Sequence, residues 1–311
     1  MFAAPPERVA EVFAVLPEAL HRTGEPSEWA FGKANPAMHS FLEGPCIERS
    51  GVLLVSDIPF GRIFRVTMTG AFETIAEYDG EPNGLAIHRD GTVRIADHRN
   101  GVMCLDPTTG EVTPVLRRLR REGFKGLNDA IFDLEGNLYF TDQGQTGMQD
   151  PTGRIYRMRP DGHVDLLVDT IPSPNGMALS PDGRILYVAV TRANQVWRVP
   201  LHSDGSTSKV NVFLNLSGGS TGPDGLAVDA DGNLLVCQCG LGTVWMVSAL
   251  GEPILRIRSG AGLDVTAACF GGQENRTLFI TEAETGSILS IELPTPGATL
   301  FSHLPQERVL P

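Results

Sequence analysis

The chain has 311 residues, 41% of them hydrophobic, with 35 Gly, 22 Pro and a formal net charge of -12. That composition is rich in turns yet apolar enough for one large all-β domain. Its acidity argues against a nucleic-acid partner, whose phosphates call for basic patches, and the lack of any run of about 18 apolar residues argues against a membrane-spanning helix.

Taken in chain order, residues 1–27 carry Glu7, Arg8, Glu11 and Glu18 through an apolar pattern of helical spacing. The pattern predicts an N-terminal helical extension to a single domain spanning 1–311, not the basic and then apolar plan of a signal peptide. Glu43-Gly44-Pro45 opens the next unit, with strands predicted over 52–57 and 62–66. Four related tripeptides follow: Pro82-Asn83-Gly84, Leu127-Asn128-Asp129, Pro174-Asn175-Gly176 and Pro223-Asp224-Gly225. Their central residues are 45, 47 and 49 positions apart, a period of propeller blades. Each reads as a turn, then an apolar strand, an Asp-Gly or Glu-Gly hairpin and a second strand, as in 177–188, with two further strands after it. A last unit runs from 265 to 291. The predicted fold is therefore all-β, a six-bladed β-propeller with four antiparallel strands per blade. The last blade needs an outer strand from elsewhere, for which Glu28-Trp29-Ala30-Phe31 and Ala298-Thr299-Leu300-Phe301 are the candidates.

Between units, the basic run 117–121 is expected to be a solvated connection. The five Cys are an odd number, and Cys237 and Cys239 fall on one face of a strand. Buried, reduced thiols are the expectation, which favours a cytoplasmic location.

In a propeller the innermost strands run beside a central channel, so residues at their entries converge. Glu43, Asn128, Asn175 and Asp224 occupy those entries. Carboxylate and amide oxygens suit a hard cation, and two carboxylates balance a divalent charge. Asn, Asp and Gly also have local reasons to sit in turns, but Glu43 is a poor turn residue in the same register. Asn83 shares that register as either channel lining or plain turn, and 264–266 shows no matching donor. In 97–100, His98 and Arg99 are candidates to bind a substrate carboxylate or hydroxyl, a hairpin connection being the alternative. Asn128 is a further substrate-binding candidate, and the polar loop 142–151 is longer than a hairpin needs and is placed beside the mouth.

The ordered set Glu43-Gly44-Pro45, Leu127-Asn128-Asp129, 138–142, Ser173-Pro174-Asn175-Gly176, 222–229 and 269–272 resembles the senescence marker protein 30, gluconolactonase and luciferin-regenerating-enzyme family over about residues 40–292. The resemblance implies a divalent metal, usually Ca²⁺ with Mg²⁺, Mn²⁺ or Zn²⁺ as other ions, held by Glu43, Asn175 and Asp224 with Asn128 near it. It also implies a lactonase acting on a small-molecule lactone. The ion would polarise the lactone carbonyl while Asp224 activates water; direct activation of water by the ion is the competing route. A noncatalytic propeller that binds a ligand or protein is the alternative from another class. A phosphotriester or phosphoryl-fluoride hydrolase is a second, disfavoured because 266–269 lacks the His that some such relatives carry. Ser-His-Asp catalysis has no support without a Gly-x-Ser-x-Gly elbow. Nothing in the pattern bears on oligomeric state.

Overall fold

In the computed structural model, which describes residues 4–31 and 37–305, the apolar runs pair with their neighbours in chain order. Leu42–Ile47, Leu53–Asp57, Arg62–Val66 and Phe72–Glu77 form one four-stranded antiparallel sheet. Three more follow with inner strands Pro82–Ile87, Leu127–Phe132 and Pro174–Leu179. Apart from one short two-stranded ribbon, the remaining strands make one eight-stranded sheet. Its two inner edges are Gly222–Val228 and Val265–Gly271, and its middle is Glu7–Val15. The fold is all-β and propeller-like, and successive sheets pack face to face through buried apolar clusters. One joins Leu54 and Ile63 to Leu85 and Ile95. Another brings Phe279 and Ile288 round to Leu53 and Phe64, which closes the ring.

The N-terminal segment corrects the sequence reading. Residues 7–15 are a strand, not a helix. Glu7 to Ala10 pair in parallel with 256–259, and Glu11 to Val15 pair antiparallel with 287–290. This strand, and neither 28–31 nor 298–301, supplies the missing outer strand. The physical reason is that only Ala10 and Ala14 are buried, with Val12 between them exposed beside a bulge, so the plain alternation of a strand is missing and the four-residue step also fits a helix.

A second correction concerns the repeated tripeptides. They are not turns ahead of the inner strands but bulges inside them: pairing shifts between Glu43 and Cys46, Pro82 and Leu85, Leu127 and Ala130, Pro174 and Met177, Pro223 and Leu226, and Val265 and Ala268. A bulge bends the strand and re-aims side chains, and Glu43, Asn83, Asn128, Asn175 and Asp224 all lie at this feature of their strands. Hydroxyls of the preceding sheet hold these bulges: Ser56 Oγ donates to Asn83 O at 2.7 Å, Thr141 Oγ1 to Asn175 O at 3.0 Å and Thr191 Oγ1 to Pro223 O at 2.7 Å. Gly44 and Gly176 let the inner strands come this close, since a Cβ on either would collide with the carbonyl oxygen of Asn83 or Asp224.

At the far ends of the inner strands, 295–305 crosses the channel as a strap. Ala298 N donates to Val228 O, and the Phe301 ring packs against His88 and Phe132. The basic run lies on an exposed two-stranded ribbon, Arg118–Leu119 with Glu122–Gly123. All five Cys are free, with Cys237 and Cys239 buried. Among the described residues no helix is long and apolar enough to cross a membrane.

Burial has a consequence for the four tyrosines. It pushes Tyr139 and Tyr156 up to about 12 and raises Tyr78 and Tyr187 as well. The native chain therefore keeps phenol protons that the unfolded chain releases near pH 10, so stability falls as pH rises through and above that value. A spectrophotometric titration should show native protein forming phenolate at higher pH than protein in denaturant, where all four titrate near pH 10. Coincident titration curves for native and denatured protein would contradict this.

Candidate functional site at the channel entry

Glu43, Asn128, Asn175 and Asp224 each occupy the bulge of a different inner strand, and all four are buried, with exposures of 7%, 8%, 7% and 8%. Asn83 is buried in the same register, its carbonyl held by Ser56. In the strand Val265–Gly271 the position falls to Thr266, whose hydroxyl donates to Leu42 O at 2.9 Å and so serves ring closure. Glu43, Asn128 and Asn175 line one end of an axial cavity of about 210 Å³. Small and apolar residues such as Ala86, Ala178, Ala227 and Ala268 surround its middle, and Phe301 stands at its other end.

Asp224 belongs to the same group through its charge. Burial first, then the carboxylates of Asp224 and Asp129, push the Glu43 pKa well above the ordinary range, against the lowering effect of the Gly44 N–H that its carboxylate accepts. Burial, with the charges of Asp224 and Glu43 adding to it, likewise raises the Cys237 thiol, so this sulfur is held neutral beside the pair. Asp129 is pushed up to about 6 by burial despite accepting from Met177 N and Ala130 N, and it ties the third sheet to the fourth. A buried Glu43 carboxylate whose proton affinity is raised by burial and by the charge of Asp224 would be stabilised in its charged form by a cation beside the two. Among the described residues no three His, Cys, Asp or Glu side chains gather to hold a metal. A cation here would complete its shell with the amide oxygens of Asn128 and Asn175, a donor set that fits a hard ion such as Ca²⁺.

The rim residues lie apart. Arg99 Nη1 donates to Asp79 Oδ1 at 2.6 Å, Nη2 stands 4.0 Å from Glu28, and the side chain lines a separate cleft with Tyr78, Glu81 and Phe60. His98 packs its ring over Gly126, beside the approach to the third sheet. Neither lines the axial cavity. The loop after Asp142 does reach the site: Asn128 Nδ2 donates to Gln143 Oε1 at 3.1 Å. The sequence signalled that loop only by its length, and it contained no sign of the Phe301 strap.

The chain belongs to the SMP-30/Gluconolactonase/LRE-like family, whose sequence pattern matches residues 41–284. It is 30% identical over 270 residues to the gluconolactonase of Zymomonas mobilis, covering 77% of this chain and 75% of that one. It is also 30% identical over 230 residues to lactonase drp35 of Staphylococcus aureus strain MRSA252, covering 70% and 69%. Among solved structures, regucalcin from Agrobacterium tumefaciens, described as a calcium-binding protein, superposes with a TM-score of 0.76 at 23% identity over 96% of this chain and 98% of that one. A gluconolactonase from Xanthomonas campestris gives 0.73 at 22% identity over 94% and 99%. At these identities the two structures speak for the fold.

Proposed function

We propose that this protein is a metal-dependent lactonase built on six blades, the eight-stranded sheet counting as two blades that share the N-terminal strand. The observation that carries the reading is the buried Glu43, its pKa raised by burial and by the charge of Asp224, with both residues in register on their inner strands with the buried Asn128 and Asn175. Membership of a family with gluconolactonase and lactonase relatives supports lactone opening. A divalent ion, Ca²⁺ by its fit to all-oxygen donors, held by Glu43, Asn175 and Asp224 with Asn128 beside it, would supply Lewis-acid polarisation of the lactone carbonyl. Asp224 accepts the proton of the attacking water, and the Asn128 amide oxygen orients a hydroxyl of the substrate. Arg99 and His98 lie outside the axial cavity, Arg99 being engaged by Asp79, and take no direct part in this reading. The free thiols are consistent with a cytoplasmic location.

A panel of sugar lactones, aromatic lactones and phosphotriesters tests the proposal. The lactones should be hydrolysed, the activity should vanish with chelator, and Ca²⁺ should restore it. Hydrolysis unaffected by exhaustive chelation would overturn the metal, and an inert panel would return the noncatalytic binding propeller to first place.

A further inference from the structure

A ligating or substrate-orienting Asn must present its oxygen, yet an amide presents NH₂ equally well after a half-turn about its last bond. Something has to choose between the two. At Asn128 the choice is made by a neighbour: its Nδ2 donates to Gln143 Oε1 at 3.1 Å, and Gln143 Nε2 donates in turn to Ser173 Oγ at 3.0 Å.

Both ends of that relay are fixed. Gln143 N donates to Gly126 O at 3.0 Å, and Thr146 Oγ1 donates to Gln143 O at 2.6 Å. Ser173 is 2% exposed, has φ +59, donates its N–H to Thr146 Oγ1 at 3.0 Å and accepts from Thr191 N at 3.1 Å. A non-glycine residue in the left-handed region is held there by its surroundings. In this arrangement Ser173 Oγ accepts from the Gln143 amide nitrogen, which presents Gln143 Oε1 to Asn128, and the Asn128 nitrogen meets it.

We infer that Gln143 is a positioning residue, which locks the Asn128 amide with Oδ1 facing the axial cavity and Nδ2 facing the loop. Its value for ion or substrate binding rests on the proposed axial site; the lock itself does not. A partner that orients a ligand from behind commonly contributes tenfold or more to metal affinity.

The test has a metal-free and a metal-bound arm. In metal-free protein carrying ¹⁵N-labelled asparagine, the Asn128 side-chain NH₂ should exchange slowly with solvent, become faster in Gln143→Met, and be slow again in Gln143→Glu, whose carboxylate accepts from both Asn128 and the Ser173 hydroxyl. In calorimetric titrations with Ca²⁺, Gln143→Met should weaken binding about tenfold and cost nothing more in an Asn128→Ala background, as expected of a residue acting through another. Unchanged exchange in Gln143→Met, or the same loss of Ca²⁺ affinity with and without Asn128, would overturn the inference. Wild-type protein that takes up no Ca²⁺ while the exchange pattern holds would sink the axial ion and leave the lock standing.

Discussion

Asp224→Asn should lower lactone hydrolysis by about a hundredfold or more, the loss expected when a general base is removed, in a protein that still folds. The substitution keeps an oxygen at the site but removes a charge and the proton acceptor. It should also stabilise the metal-free protein. Burial and then the Asp224 and Asp129 carboxylates raise the Glu43 pKa well above normal. Folding of the metal-free chain therefore takes up a proton there, and its stability falls as pH rises past the ordinary carboxylate range. Removing the Asp224 charge relieves part of that loss, so the melting temperature in chelator at neutral pH should rise while Ca²⁺ affinity falls. Site and stability are thus opposed, as at many functional centres. Steady-state rates on the Ca²⁺-reloaded variant and melts with and without chelator check both halves. Near-normal turnover by a metallated variant would move the base away from Asp224.

The second large effect concerns the fold. Arg62→Met should cost about 3–5 kcal/mol, the range for breaking a buried ion pair from one side. Arg62 and Asp57 are 1% and 0% exposed, and Arg62 Nη2 meets Asp57 Oδ2 at 2.5 Å. Arg62 also donates to Leu20 O at 2.7 Å and stacks over Phe64, while Asp57 accepts from Phe41 N at 2.7 Å. The pair thereby clamps both sides of the N-terminal connection to the first sheet. Without the guanidinium, Asp57, already raised by burial, becomes an uncompensated buried carboxylate. The double variant Arg62→Met, Asp57→Leu should recover part of the loss, because the charge left behind is gone. Urea midpoints measure all three proteins. A single-variant cost below about 1 kcal/mol would mean the pair contributes no more than a surface ion pair.

The sequence by itself determined the repeat and the register of its polar residues. Alternation, Asp-Gly hairpins and the spacing of Asn83, Asn128, Asn175 and Asp224 are local signals, written within each blade-sized unit. Glu43 was legible because an acidic residue in a turn register has no local reason to be there. Where the relevant partner is remote, only the tertiary structure decided. The strand Glu7–Val15 finds its partners near Arg256 and Ser290, and its bulge disguises the β period as a helical one. Arg99 sits in the same short segment as His98, yet its direction is set by Asp79, so a candidate substrate-binding cation is an ion-paired residue of a separate cleft. The tripeptides became strand bulges because hydroxyls from the neighbouring sheet hold their carbonyls. The Phe301 strap and the hold of Gln143 on Asn128 likewise join residues from different elements. Local periodicity fixes which residues pair within a blade, but the aim of a side chain depends on what the ring brings beside it, and ring closure alone sets those contacts.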